Sequence, residues 1–272
     1  MPEQLTSSLA SPFSIDAETR EAFDRDGFVQ LSQVLDAEEL ESWRPLISEL
    51  CHAKHANALP IEQRETYAKA FLQTTNLWRR DDRARAFVFS RRLAGIAAQL
   101  LGVKQVRIYH DQALFKEAGG GHTPWHADQY YWPLSSDRTV TAWIPLVDVH
   151  ADMGPLSFAA GSHHDRVGEE LAISDESEER LDAVVRERGY RVHEAPFACG
   201  DVSFHLGWNL HRAGPNRSAV EREVMTIIYM DADMELIEPT NPSRVNDARN
   251  WCPGIQPGQR CDSPLNPIVP WG

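Results

Sequence analysis

The spacing of the hydrophobic positions changes near residue 105. Before that point apolar residues recur every three or four positions, the period of an amphipathic helix. The clearest stripe runs from Arg91 to Leu101 and ends at Gly102, a residue typical of a helix C-terminus. The pattern therefore predicts a mainly helical N-terminal part over about residues 1–104.

From Gln105 onward the apolar residues form short runs rich in β-branched and aromatic side chains, separated by Gly, Pro, Asp and Ser. Four runs are predicted to be strands: VRIYHDQALF, VTAWIPLVDV, DVSFHL and EVMTIIYMD. An acidic segment at 165–196 ends in a helical pattern and is interpreted as an insertion or a lid. We predict a β core over about residues 105–236, followed by an irregular, Pro-rich tail over about 237–272.

Composition narrows the class of protein. With 272 residues, 42% of them hydrophobic, the chain is expected to form a single domain spanning 1–272. The net charge of −13 argues against nucleic acid as a partner, because phosphate binding needs a basic surface. No stretch approaches the roughly 18 apolar residues of a membrane helix, so no membrane association is expected.

The cysteines and the N-terminus bear on the compartment. The four cysteines show none of the CxxC spacing of a zinc site. The opening MPEQLTSSLASPF has neither the basic start nor the apolar segment of a secretory signal. Reduced thiols and a cytoplasmic location are therefore expected. The oligomeric state is left open.

The stretch HTPWHADQYYWP contains a histidine and an aspartate two positions apart, His126 and Asp128. In a strand, residues i and i+2 point to the same side, so the imidazole and the carboxylate would face one site. They supply two ligands of a 2-His-1-carboxylate triad, an arrangement that suits Fe(II) and leaves positions open. The candidates for the third ligand are His150, His163, His164, His193, His205 and His211.

His211 is the favoured third ligand because it lies between two strand-like runs, where a chain turn could direct a side chain inward. Arg222 follows at the start of the next predicted strand. An iron oxygenase of this kind needs a cation for the far carboxylate of 2-oxoglutarate, and arginine binds carboxylates in bidentate fashion. Each feature alone has an ordinary structural explanation, such as a core histidine or a surface arginine. Their combination favours the metal site.

Several motifs in the same order resemble the phytanoyl-CoA dioxygenase family of Fe(II)/2-oxoglutarate oxygenases, and the resemblance covers most of the chain. FDRDGFVQLSQVLDAEEL is similar to the family's first helix and strand, WHAD to its metal motif, and TAWIPLVDV to its central strand. GPLSFAAGSHH resembles its Gly-Ser-His turn, and HRAGPNRSAVER the segment from the third ligand to the cosubstrate arginine. The tail WCPGIQPGQRCDSPLNP is similar to bacterial members.

The resemblance implies a mainly β fold with flanking helices, a cupin-like double-stranded β-helix or jelly roll. It implies an enzyme with Fe(II) on His126, Asp128 and His211, Arg222 on 2-oxoglutarate, and O2 as a further cosubstrate. The residues expected to line the cosubstrate pocket are Gln112, Trp143 and Gln73. For Gln112 and Trp143, simple filling of the barrel interior is an equally good explanation.

The aromatic residues after the HxD motif are candidates for the wall of a substrate pocket. Tyr130 and Trp132 are the favoured wall residues, with His122 as a further candidate, and such rings suit a small, largely apolar molecule. Ordinary core packing is the alternative for each of them. The predicted reaction is hydroxylation of an unactivated C–H bond with release of succinate and CO2. Desaturation, cyclisation or epimerisation with the same cofactors remains open, as does a jelly-roll binding protein without turnover.

Overall fold

Two antiparallel β-sheets face each other at the centre of the molecule in the computed structural model, which describes residues 9–64 and 66–271. The residues before Leu9, on which part of the export-signal prediction rests, lie outside the described residues. The rings of Phe28 and Phe158, one from each sheet, stack with their centroids 4.4 Å apart. The space between the sheets holds the candidate site.

The larger sheet has seven strands. Numbered along the chain, they are β1 (Phe28–Leu31), β2 (Leu72–Thr75), β3 (Val106–Phe115), β5 (Thr139–Pro145), β8 (Val202–Leu206), β10 (Val224–Asp231) and β11 (Ile268–Val269). Their order is β1-β8-β5-β10-β3-β11, and β2 pairs with the other end of β3. The four runs predicted from the sequence form β3, β5, β8 and β10. The helical N-terminal part contributes β1 and β2 as well.

The smaller sheet has four strands in the order β4-β9-β6-β7. They are β4 (Thr123–His126), β6 (Leu156–Ala159), β7 (Val192–Glu194) and β9 (His211–Ala213). All strand pairings in both sheets are antiparallel. This arrangement is the predicted mainly β fold of two packed sheets with flanking helices.

Seven α-helices accompany the sheets within the described ranges. They are α1 (Ala17–Asp26), α2 (Ala37–His55), α3 (Thr66–Ala70), α4 (Asp82–Val88), α5 (Arg91–Leu101), α6 (Asp175–Glu187) and α7 (Pro242–Trp251). The prediction for α5 is confirmed at both ends: the Ser90 hydroxyl caps its first turn, and Gly102 ends it with φ of 65°. None of the helices in the described part of the chain is both long and apolar enough to cross a membrane.

Alternation along the strands of the larger sheet separates the helical core from the site. On β5, Val140, Ala142 and Ile144 belong to the hydrophobic core that also contains the buried face of α5. The side chains between them, Thr141 and Trp143, line a cavity on the opposite face. The helices therefore cover one face of this sheet and leave the other face to the site.

The tail is more regular than predicted. The prolines suggested an irregular segment, yet α7 occupies ten of its residues. Pro242 stands in the first turn of α7, where its missing N–H breaks no helical hydrogen bond, and the Asn241 side chain caps the Arg244 N–H at 2.8 Å. The prediction was wrong here because proline interrupts a helix only after the first turn.

Gly154 lies where the loop before β6 meets the loop after β9. Its φ is 68°, and a Cβ at this position would lie 2.1 Å from the Gly214 carbonyl oxygen. Glycine alone tolerates both the left-handed backbone and this approach. The Gly154 carbonyl oxygen accepts a hydrogen bond from the Arg222 guanidinium, so this glycine fixes a partner of a buried cation.

We expect Gly154→Ala to destabilise the protein more than Gly189→Ala. Gly189 also has φ of 68°, but a Cβ there meets no atom within 4 Å, so it reports backbone strain alone. That strain costs about 1 kcal/mol. The clash at Gly154 should add about 1–3 kcal/mol. Urea unfolding gives both free energies, and equal losses would contradict a steric requirement at Gly154.

Candidate metal centre

The three predicted ligands converge at the inner edge of the smaller sheet. His126 is the last residue of β4 and His211 the first residue of β9, and the two are paired directly across the sheet. Their ring centroids lie 4.1 Å apart. Antiparallel pairing thus brings together two histidines that are distant in sequence.

Asp128 reaches the same point by a different route from the predicted one. The strand ends at His126, and Asp128 begins a 3-10 turn over Asp128–Tyr130. The prediction that His126 and Asp128 share one face of a strand was therefore wrong. The turn, not strand alternation, directs the carboxylate toward the imidazoles, because the chain must bend at the sheet edge.

The distances between the donor atoms fit a single metal ion. Asp128 Oδ1 lies 3.5 Å from His126 Nε2 and 3.8 Å from His211 Nε2, and the three ligand atoms lie within 4.8 Å of one another. The Nδ1 atoms of His126 and His211 are 2.7 and 3.0 Å from the carbonyl oxygens of Pro124 and Asn209. A proton on each Nδ1 leaves the Nε2 lone pair for the metal.

The pKa shifts of His211 and Asp128 also favour the binding of a metal ion. Burial, followed by the neighbouring His126 and His205, lowers the pKa of His211 well below its usual value, so its imidazole is neutral. Burial alone would raise the pKa of Asp128, but the adjacent His211, His126 and His205 hold it well below its usual range. A neutral imidazole and an ionised carboxylate are the forms that bind metal ions.

His205 is a further histidine beside this centre. It lies on β8, on the opposite sheet, with Nε2 3.6 Å from Asp128 Oδ2 and its ring centroid 4.4 Å from that of His211. Neither ring nitrogen has a hydrogen-bond partner among the described residues. The Thr141 hydroxyl donates to the same Asp128 oxygen at 3.2 Å. The sequence had listed His205 among the candidates for the third ligand, with His211 favoured over it.

The other candidate histidines lie outside the cluster. His163 and His164 pack against each other, with centroids 3.8 Å apart, and His193 lies beside Phe28. His150 is exposed. In the part of the chain that the structure describes, the group able to hold one metal ion is His126, Asp128 and His211.

A cavity on one side of the three ligands contains Arg222, and we call it the Arg222 cavity. Arg222 is 2% exposed, and its guanidinium lies 5.4 Å from the centroid of the Trp143 ring. Burial lowers its pKa to about 9, which leaves it cationic at neutral pH. Its Nε has no hydrogen-bond partner among the described residues. A buried cation with a spare donor fits an anionic ligand such as a carboxylate.

The predicted pocket residues Gln112 and Trp143 both line the Arg222 cavity. Gln73 donates through Nε2 to Gln112 Oε1 at 2.6 Å, because β2 pairs with β3. Gln73 and Gln112 together line a second cavity. Gln112 therefore lines both of these cavities. Of the two, Gln73 lines only the second.

The second cavity has a volume of about 330 Å³ and is called the Asp247 cavity. It shares Gln112, His126, Asp128 and Ile173 with the Arg222 cavity. Trp132 lines it, as does Tyr131. Neither Tyr130 nor His122 is among the described residues that line the two cavities; the Tyr130 ring packs edge-on to Tyr131 at 4.9 Å. Because the chain turns after His126, the side chain of Tyr131 lines the cavity and that of Tyr130 does not.

Other residues of the Asp247 cavity were missed from the sequence. His110 precedes Gln112 by two positions on β3, so alternation could have found it. Asp247 and Trp251 come from α7, and Ile173 comes from the segment before α6. No local pattern links these three to the metal motif.

Helix α6 of the segment 165–196 covers one side of the smaller sheet, whereas Ile173 of the same segment lines both cavities. Leu181 and Val185 of α6 pack with Trp125. A Glu178 carboxylate oxygen accepts a hydrogen bond from the backbone N–H of Trp125 at 2.7 Å. Arg212, next to His211, pairs with Glu178 at 2.7 Å. The segment thus supports both metal-bearing strands from behind.

A comparison with family models identifies this combination of fold and site. The model described as phytanoyl-CoA dioxygenase matches residues 23–224, well over half of the chain. The chain belongs to the phytanoyl-CoA dioxygenase family. The resemblance inferred from the motifs is thereby confirmed.

Three proteins illustrate the range of relatives. The chain is 24% identical to a probable alpha-ketoglutarate-dependent hypophosphite dioxygenase of Stutzerimonas stutzeri, over 79% of this chain and 78% of that protein. It is 25% identical to L-proline trans-4-hydroxylase of Streptomyces griseoviridis, over 86% and 92%. The crystal structure of the non-heme alpha ketoglutarate dependent carbocyclase SnoK, from nogalamycin biosynthesis, superposes with a TM-score of 0.72 and 25% identity over 95% and 99%.

These findings confirm several predictions. The jelly-roll fold is confirmed, and so is an enzyme of the dioxygenase class, an oxidoreductase. Iron and 2-oxoglutarate are confirmed as the cofactors, in agreement with the three-ligand cluster.

Loss of a residue that only supports a metal ligand weakens metal binding by roughly 10–100-fold. We expect His211→Ala, which removes a proposed ligand itself, to weaken Fe(II) binding by well over this amount. His205→Ala is the matched control: it removes another buried histidine of the same cluster but no proposed ligand. Anaerobic titration calorimetry with Fe(II) measures both affinities. Loss of the binding site in His205→Ala, with His211→Ala unaffected, would transfer the third ligand to His205.

Proposed function

We propose that this enzyme hydroxylates an unactivated C–H bond of a small, largely apolar molecule, with Fe(II) held by His126, Asp128 and His211. The observation that carries the proposal is the position of Arg222. A buried arginine with an unpartnered donor lines the same cavity as the three ligands. A purely structural arginine would have no reason to leave that donor unused in the interior.

In the proposed complex, Arg222 binds the carboxylate of 2-oxoglutarate that lies far from the metal. The planar guanidinium already donates to Gly154, and its free edge is available for a charge-assisted pair. Thr226 supplies a further hydroxyl to the cavity wall, while Trp143 and Leu156 give apolar surface for the methylene chain. The cavity thus orients a short, linear dicarboxylate between the cation and the metal ligands.

Two other basic residues near this region fit the role less well. The Lys116 side chain donates to the carbonyl oxygens of Gly121 and Gly214, at 2.6 and 2.8 Å, and burial lowers its pKa to about 6, so that it is mostly uncharged at neutral pH. Arg212 lines the cavity but is paired with Glu178 and Asp182. Two arginines are among the described residues of this cavity, and Arg222 is the one that has no carboxylate partner in the described part of the chain.

Bound iron, together with 2-oxoglutarate and O2, would supply an oxidant strong enough to remove hydrogen from an unactivated carbon. Succinate and CO2 are released from 2-oxoglutarate. The protein's own residues bind and orient. Thr141 holds one Asp128 oxygen, the peptide carbonyls orient both histidines, and the sheets exclude water from the cavities. No side chain is required as a general base in this scheme.

The prime substrate is proposed to enter the Asp247 cavity, because His126 and Asp128 line this cavity and Arg222 does not. Trp132 is the predicted wall residue that lines it, whereas Tyr131 takes the position expected for Tyr130. The same geometry would permit cyclisation, as in the name of the carbocyclase relative, or desaturation or epimerisation. A non-catalytic binding protein is disfavoured by the complete triad together with Arg222.

We propose that residues 1–272 act as one catalytic domain, supported by strands from the N-terminal part and the tail that join the larger sheet. A small molecule is the proposed partner. The four free cysteines are compatible with the proposed cytoplasmic location.

The function is tested by succinate formation. Iron-loaded protein with 2-oxoglutarate and O2 should release succinate, and a candidate substrate should stimulate the release and gain one oxygen by mass spectrometry. A product that loses two hydrogens without gaining oxygen would indicate desaturation or cyclisation. Absence of succinate from protein shown to bind both iron and 2-oxoglutarate would favour the binding-protein alternative.

We expect Arg222→Ala to raise the KM for 2-oxoglutarate by tens-fold or more, since a buried charge-assisted pair contributes on the order of 2–5 kcal/mol. Fe(II) affinity should change little. Arg222→Lys should recover part of the loss, because it keeps the charge without the planar fork. Arg217→Ala is the control, an exposed arginine in the preceding loop. An effect of Arg217→Ala alone would place the cosubstrate cation elsewhere.

A further inference from the structure

The two cavities beside the metal ligands differ in charge. Arg212 and Arg222 both line the Arg222 cavity. No lysine or arginine is among the described residues that line the Asp247 cavity, which instead contains the carboxyl groups of Asp128 and Asp247. A metal ion would compensate Asp128, whereas Asp247 lies apart from the ligand cluster. An anionic substrate would therefore meet the Asp247 carboxyl group and no side-chain cation among the described residues of the second cavity.

Asp247 is a buried carboxyl group without a cationic partner. It is 9% exposed, forms no salt bridge among the described residues, and accepts a hydrogen bond of 3.4 Å from the Tyr109 hydroxyl. Burial raises its pKa to about 7, although Tyr109 and Trp251 oppose the shift. Burying a carboxylate costs free energy unless a cation or several donors compensate it. A positively charged ligand would supply that compensation.

His110 gives a second, independent indication that this cavity receives a polar ligand. Its side chain is 7% exposed and lines the cavity, and its Nδ1 has no partner among the described residues. Burial lowers its pKa to about 4, so the ring stays neutral and adds no positive charge. The ring stacks on Trp251, another residue of the cavity wall, with centroids 4.5 Å apart.

The remaining walls are aromatic and aliphatic. Tyr131, Trp132 and Trp251 contribute rings, and Ile173 and Ile228 contribute aliphatic surface. Aromatic faces attract cations as well as apolar groups, at about 0.5–2 kcal/mol for each favourable cation contact. The volume of about 330 Å³ is at the small end of ligand pockets, which span roughly 300–1,000 Å³. The cavity suits a compact molecule.

We propose that the substrate of this enzyme is a compact amine, whose protonated nitrogen pairs with Asp247 and whose hydrocarbon part lies against Trp132 and Ile228, facing the metal ligands. Asp247 is then a specificity-determining residue supplied by the tail helix α7. The inference rests on the proposed function, because it assumes that the Asp247 cavity is the substrate side of the metal centre. Hypophosphite, which occurs in the name of one relative, is an anion and would be excluded.

The test compares three probes of one skeleton: cyclohexylmethylamine, cyclohexylmethanol and cyclohexanecarboxylate. Their affinities for the iron- and 2-oxoglutarate-loaded protein are measured anaerobically by titration calorimetry. The amine should bind at least about tenfold more tightly than the carboxylate, the ratio that one charge-assisted hydrogen bond provides. An amine that binds no better than the carboxylate, including the case in which neither binds, would overturn the proposal.

Two variants assign the preference to Asp247. Asp247→Asn keeps the shape and removes the charge, and it should reduce the preference for the amine to within about threefold while leaving the alcohol unaffected. Asp262→Asn makes the same chemical change at an exposed position of the tail and should retain the preference. Thermal unfolding of both variants verifies that they are folded. A full preference in Asp247→Asn would refute the role of this carboxylate.

The design separates this inference from the proposed function. The affinity for 2-oxoglutarate is measured on the same samples. The probes are also titrated without cofactors, because the cavity is lined by protein side chains and does not need a cofactor to complete its wall. Loss of iron or 2-oxoglutarate binding would contradict the proposed function. Normal cofactor binding without a preference for the amine would contradict only the assignment of the substrate class.

Discussion

The pairing of β4 with β9 is the interaction on which the site depends. It places His126 opposite His211 at the edge of the smaller sheet, and a shift by one residue would turn one imidazole to the other face. The pairing is supported from behind by α6, whose Glu178 contacts both strands through the Trp125 N–H and the Arg212 guanidinium. The acidic insertion therefore has a structural role in holding the two histidines in register.

The second constraint is the burial of charge between the sheets. Arg222 is buried and the side chain of the candidate ligand Asp128 is 23% exposed, and each is held by polar groups of the surrounding strands and loops. The structure separates a cationic cavity from one that holds a carboxyl group, with the metal ligands between them. In a low-dielectric interior, such a separation would favour ligands of different charge in the two cavities.

The larger sheet serves two purposes because its strands alternate. On β10, Met225, Ile227 and Tyr229 belong to the core shared with the helices, whereas Thr226 lines the Arg222 cavity and Ile228 the Asp247 cavity. Rigid strands, paired on both sides, carry most of the residues that face the cavities. The tail helix α7 adds the last wall from outside the sheet.

The sequence by itself determined the elements and the ligand types. Runs of β-branched and aromatic residues identified the long strands, the stripe before Gly102 identified α5, and ordered motifs gave the family, the three candidate ligands and Arg222. Only the tertiary structure decided that Asp128 lies on a turn, that His205 stands beside it, that Gln73 reaches Gln112, and that α7 brings Asp247 and Trp251 to the cavity. Local patterns encode which residues form a strand or a helix. The neighbours of a side chain across two sheets depend on register and packing between segments that are distant in sequence.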